Sequence, residues 1–123
     1  MGEQVIVLGS LREEIVRLWT DQVAENLQIV LTTRRRTHFL ERHPDVARWE
    51  TRLANAVQDP DEVHRNQASA STAIFYKRVD AMHYLRVVVA MQPRGGRLKH
   101  SVITCRLARR AELEKGRERR VWP

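Results

Sequence analysis

Apolar and polar positions follow two rhythms along this chain, a helical one before about residue 60 and an alternating one after it. Gln4 to Leu8 is a short apolar run, expected as a strand that Gly9 ends. Ser10 then reads as an N-cap with Glu13 at capping-box spacing, and Leu11, Ile15, Leu18 and Trp19 recur at helical intervals, predicting a first helix over about residues 11–25. Leu27 to Leu31 is a second β-type run. Thr32 or Thr33 caps a helix over about residues 34–42, and Pro44 disfavours helical geometry at His43 while suiting the first position of a third helix. Val46, Trp49, Leu53 and Val57 share one face of that helix, which the turn signal Asp59-Pro60-Asp61 ends near Gln58.

Residues 72–78, 83–91 and 100–108 are rich in Val, Ile, Tyr, Phe and Thr, with turn-prone joints at Val79-Asp80-Ala81 and Pro93-Arg94-Gly95-Gly96. They predict an antiparallel meander. The fold class is therefore α+β, with N-terminal helices packed on one face of a C-terminal antiparallel β-sheet and the other face open. Period-two alternation sets Leu85, Val87 and Val89 against Tyr84, Arg86 and Val88, and Ile103, Cys105 and Leu107 against Val102, Thr104 and Arg106. If these align with Tyr76 and Arg78, the open face is cationic and lined with hydroxyls. Val121 and Trp122 suggest that the tail returns as a final strand.

At 123 residues the chain is read as a single domain that buries its own core. One cysteine, Cys105, excludes an internal disulfide or a thiolate zinc cage, and it is expected to face the core and be inert. No signal-peptide pattern and no apolar run of about 18 residues occurs, so a soluble, cytoplasmic protein with no membrane partner is expected. The formal charge of +7 is carried by residues 94–120, which hold ten Lys or Arg against three Glu. A basic block of this kind is the footprint of a polyanion binder, or more plainly a solvated basic tail.

Candidate chemistry concentrates between Ile29 and Val46, where His38 and His43 lie among Arg34, Arg35, Arg36 and Arg42. Cleaving RNA without a metal needs a base for the ribose 2′-OH, an acid for the leaving 5′ oxygen and cations for the crowded phosphorane. Arg35 and Arg42 stand three before and four after His38, so all three project on one side of the helix. Each residue has a plainer use: His38 as a structural imidazole, His43 as a helix junction, Tyr76 and Tyr84 as amphipathic sheet residues, Thr104 for β propensity. No His-Glu-x-x-His run is present, and His64, His83 and His100 are scattered, so no metal site is expected. Nucleotide-cofactor and serine-hydrolase motifs are also missing, and no cofactor is expected.

The order Val30-Leu31-Thr32, His38-Phe39-Leu40-Glu41-Arg42-His43-Pro44-Asp45, Asp59-Pro60-Asp61-Glu62-Val63, Phe75-Tyr76-Lys77-Arg78, Tyr84-Leu85-Arg86-Val87-Val88-Val89 and Val102-Ile103-Thr104 resembles the phage-associated nuclease-like families. These belong to the barnase, EndoU, colicin and RelE (BECR) superfamily. The resemblance spans about residues 29–108, leaving 1–28 as a strand and helix extension and 109–123 as a basic C-terminal segment. It implies a RelE-like α+β fold and a metal-independent, toxin-like ribonuclease that cleaves tRNA or mRNA to a 2′,3′-cyclic phosphate. Aligned with it, His38, His43, Tyr76 and Thr104 are the catalytic candidates, with His38 favoured as acid or base. Arg35, Arg42, Lys77, Arg78, Arg86 and Arg106 are the candidate RNA-binding residues. The rival expectations are a noncatalytic RNA-binding module and a toxin-like protein whose basic groove is held by an acidic antitoxin.

Overall fold

A computed structural model describes residues 4–21, 27–92 and 99–123. In chain order the elements are β1 (Val5–Ser10), α1 (Glu13–Val16), β2 (Gln28–Thr32), α2 (Thr33–Arg42), a 3-10 segment (Pro44–Arg52), α3 (Leu53–Gln58), β3 (Glu62–Arg65), β4 (Thr72–Arg78), β5 (His83–Ala90), β6 (His100–Arg109), α4 (Arg110–Lys115), a 3-10 turn (Arg117–Arg119) and β7 (Arg120–Trp122). The domain is α+β. One seven-stranded sheet runs in the order β1-β2-β6-β5-β4-β3-β7, antiparallel throughout except where β2 meets β6.

The three-stranded meander falls where the alternating pattern puts it, and the suggested final strand forms as β7 against β3. The N-terminal residues join the same body, since β1 extends the sheet and Leu11, Ile15 and Val16 enter the core. The first helix is far shorter than its apolar spacing suggests, covering Glu13–Val16 and closing in turns by Trp19. Residues 22–26, which the expected helix includes, and the expected joint at residues 93–96 lie outside the described residues. Ser10 is not a cap, because β1 continues through it and Arg12 takes the cap position. The strand passes Gly9 by a bulge against β2 at φ 124°, where a Cβ would lie 2.1 Å from the Gln58 side chain, so only glycine suits the position.

The second helix matches its expected limits. Thr32 Oγ1 accepts the Arg35 amide at 3.2 Å, and His43 leaves helical geometry before Pro44. The third expected helix divides into the 3-10 segment and α3, yet Val46, Leu53 and Val57 still share the buried side, with Trp49 packed against them. All of these helices lie on one face of the sheet. Their apolar residues, Phe39 among them, form one core with Ala73, Phe75, Leu85, Val87 and Val89.

The opposite face is not open. Ile74, Tyr76, Val88 and Ala108 form a second cluster there, and α4 closes it with the fully buried Leu113. The expected alternation on β6 fails at one point. Val88 pairs with Thr104 but Val89 pairs with Val102, so Ile103 is an extra residue; Val102 joins Cys105 in the main core, and Ile103 packs against the second cluster. A bulge of this kind depends on the partner strand, which is why alternation within β6 does not foretell it.

Candidate functional site

The second face carries a polar row set by strand register. Glu62 on β3 pairs with Tyr76 on β4, Tyr76 with Arg86 on β5, and Arg86 with Arg106 on β6. One residue pair along, His64 opposes Ile74, which opposes Val88, which opposes Thr104. Cross-strand neighbours of this kind lie about 5 Å apart, so the two rows bring carboxylate, imidazole, phenol and guanidinium groups onto one small surface.

His64 is the centre of this arrangement. It is only 2 % exposed, its ring lies 4.8 Å from that of Tyr76, and its Nε2 is 3.1 Å from Glu62 Oε1. The other Glu62 oxygen, Oε2, accepts from Arg117 Nη2 at 3.0 Å. Burial pushes the imidazole below its ordinary pKa of 6.5, helped by the nearby charges of Arg119 and Arg120, while the Glu62 hydrogen bond works the other way. Burial also penalises the Glu62 carboxylate, but Arg117 and His64 outweigh it and hold its pKa below the usual 4.5. A carboxylate can only accept, so the neutral imidazole keeps its proton on Nε2 and presents a lone pair at Nδ1. A Cβ at Gly116 would sit 3.2 Å from that Nδ1, tighter than most such contacts, so the chain passes close against the ring.

Arg86 lies beside this pair. Its Nε is buried without a hydrogen-bond partner, the nearest carboxylate oxygen being Glu112 Oε1 at 3.8 Å. Arg106 makes two bonds to the same carboxylate, Nη1 reaching Oε2 at 3.0 Å and Nη2 reaching Oε1. A cleft of about 430 Å³ opens here, with His64, Tyr76, Arg86 and Arg119 in its walls. A second hollow of about 440 Å³, reaching Asn66 and Ala68, shares Gln67, Ile74, Arg86 and Arg119 with it. Chemically the surface offers a neutral base fixed by a carboxylate, a phenol, and guanidiniums that suit an anion.

The expected site residues divide between the two faces. Tyr76, Arg86, Arg106 and Thr104 come together on the second face, Tyr76 buried and Thr104 half-buried. His38 does not join them. It stands exposed on α2, whose Phe39 anchors the helix to the opposite face, and lines a separate hollow of about 630 Å³ with Thr32, Arg34, Arg35, Thr37 and Glu41. Arg35 and Arg42 are exposed on that helix, and His43 is half-buried at its end. Lys77 alternates with Tyr76 and so leaves the second face, held by Asp59 at 3.6 Å and Asp61 at 3.5 Å. Arg78 is exposed at the strand end, its amide bonded to Asp61 and its Nε to the Asp80 carbonyl.

His64, Glu62, Arg117 and Arg119 escape sequence reasoning. The signal for them is the alternation Glu62-Val63-His64, a strand too short to stand out, whose polar side faces the cleft. His83 is held by Asp80 in a turn, and His100 is fully buried with Nδ1 accepting the Gln92 amide at 3.0 Å. Cys105 is buried as expected, its thiol pushed up to about 12 by desolvation. Among the described residues no group of three His, Cys, Asp or Glu side chains is placed to hold a metal ion, and no helix is long and apolar enough to cross a membrane.

Comparison of the chain with protein-family models, curated proteins and solved structures finds no match.

Proposed function

We propose that the protein is a metal-independent RNA endonuclease acting on the second face of the sheet, by attack of the ribose 2′-OH to give a 2′,3′-cyclic phosphate. The observation that carries this reading is the buried His64–Glu62 pair set against Arg86, whose buried Nε has no hydrogen-bond partner in the wall of a cleft. Under it, His64 Nδ1 takes the 2′-OH proton, Glu62 fixes the tautomer, and Arg86 with Arg106 neutralises the phosphorane. Tyr76 gives the proton to the departing 5′ oxygen. The lowered His64 pKa keeps the base form populated at neutral pH. An arrangement of the BECR kind is part of the same reading, supported by helices on one sheet face and a Tyr–Arg–Arg row on the other.

Purified protein incubated with total tRNA in EDTA is expected to yield fragments ending in 2′,3′-cyclic phosphate, and His64→Ala is expected to stop their formation. Intact RNA with the wild-type protein, or equal cleavage by the variant, overturns the assignment. Strong salt-dependent binding without cleavage would instead identify a noncatalytic RNA-binding module.

A further inference from the structure

Glu112 stands where a phosphate of the proposed substrate would stand. It is the only carboxylate among the described residues that ion-pairs with Arg86 or Arg106, bonding Arg106 through both oxygens and approaching Arg86 Nε at 3.8 Å. A planar carboxylate accepting two guanidinium bonds offers the same fork geometry as two oxygens of a phosphodiester.

The same short segment covers the rest of the site. Leu113 anchors α4 in the second cluster, Gly116 passes against His64 Nδ1, and Arg117 takes Glu62 Oε2. The Glu112 side chain is 40 % exposed, so its ion pair with Arg106 lies within reach of solvent and of a competing anion.

We propose that residues 110–117 are a built-in occlusion of the cleft, in which the Glu112 carboxylate competes with an RNA phosphate for the Arg86–Arg106 pair. The proposal rests on the reading of this face as an RNA phosphate site. An RNA phosphate that binds both arginines displaces Glu112, and α4 shifts from the sheet to admit the ribose to His64. Affinity is then lowered by the fraction of molecules in which the segment is closed.

The test uses the full chain and a short 2′-O-methyl oligoribonucleotide, which keeps the phosphates but has no 2′-OH to react. Glu112→Gln is expected to bind it about tenfold tighter than wild type, since removing the competing charge raises the open fraction. Glu114→Gln removes an equal charge from the outer side of α4, where Glu114 pairs with Arg110 at 2.9 Å, and is expected to leave affinity near wild type. Adding the oligonucleotide to wild type is expected to speed amide exchange across residues 110–117. Equal affinity of Glu112→Gln and wild type, equal tightening by both variants, or slower exchange in the segment overturns the proposal. Tighter binding by Glu112→Gln alone, with no cleavage of tRNA by any form, upholds the occlusion and removes the endonuclease reading. Cleavage by wild type with unchanged binding and rate in Glu112→Gln does the reverse.

Discussion

Two regions concentrate basic and imidazole groups, and they differ in what surrounds each charge. On α2, Arg34, Arg35, Arg42 and His38 project into solvent from a helix whose inner side is fixed by Phe39. On the sheet face, Glu62, Tyr76, Arg86 and Arg106 come from four strands and meet through register, and His64 is buried beside them. The helix is dense in sequence and dilute in space, whereas the sheet site is the reverse. Groups that do chemistry need fixed distances and controlled hydration, and the sheet provides both.

The sharpest break between the two regions is expected from their histidines. His64→Ala should lower tRNA cleavage about 10²- to 10⁴-fold, the usual contribution of a positioned base, while His38→Ala should leave the rate unchanged. Fragment yield on a gel reads both, with a thermal melt to confirm that each variant folds. A large loss in His38→Ala would move the site to α2.

Next in size is the structural role of the helix. Phe39 is fully buried, so Phe39→Ala should cost roughly 3–5 kcal/mol in unfolding free energy measured by urea titration. A cost below about 1 kcal/mol would mean that α2 is not anchored on that face.

The helix and the arginine and hydroxyl side of the site are legible in the sequence and the His64–Glu62 pair is not, for reasons that lie in how each is specified. Thr32 and Pro44 mark α2 locally, and the β-branched runs in residues 72–78, 83–90 and 100–109 announce their strands within a few residues each. The cationic, hydroxyl-bearing side of the sheet was legible too, since Tyr76, Arg86, Thr104 and Arg106 all follow from alternation. β3 is hidden because it is four residues long and carries polar Glu62 and His64, which bond each other and, at Glu62, Arg117. Arg117, which completes the pair, lies 55 residues further along the chain, so the short Glu62-Val63-His64 alternation does not by itself report the site. The charge count of the basic block overstates its free cations because it ignores pairing: Arg106, Arg110, Arg117 and Arg119 all bond to nearby carboxylates.

Acid should separate the regions further. His64 titrates below 6.5 in the folded chain and near 6.5 when unfolded, so on acidification the unfolded chain takes up its proton first. The stability tied to this residue is complete above about pH 6.5 and declines as pH falls from there toward the lowered folded value. Glu62, also lowered, adds a loss in the same direction below about pH 4.5. His64→Gln should flatten the upper part of that decline in melting temperature measured against pH, and His38→Gln should not. An unchanged slope in His64→Gln would mean that the imidazole is not held neutral by burial.

The smallest effects belong to the exposed arginines of α2. Arg35→Gln and Arg42→Gln should each change stability by less than about 0.5 kcal/mol, because neither side chain has an ion-pair partner among the described residues. Their contribution to RNA affinity is separable by salt. For single-stranded RNA each phosphate contact adds about 0.7 to the slope of log affinity against log salt. Arg86→Gln should therefore flatten the slope by about that amount, and the two α2 variants should leave it unaltered if RNA lies only on the sheet face. A flatter slope in Arg35→Gln with cleavage chemistry intact would show that the strand wraps from the cleft to the helix. The dense stretch of the sequence would then be a second landing for the same polyanion, and the division between the two regions would be one of role within a single interface.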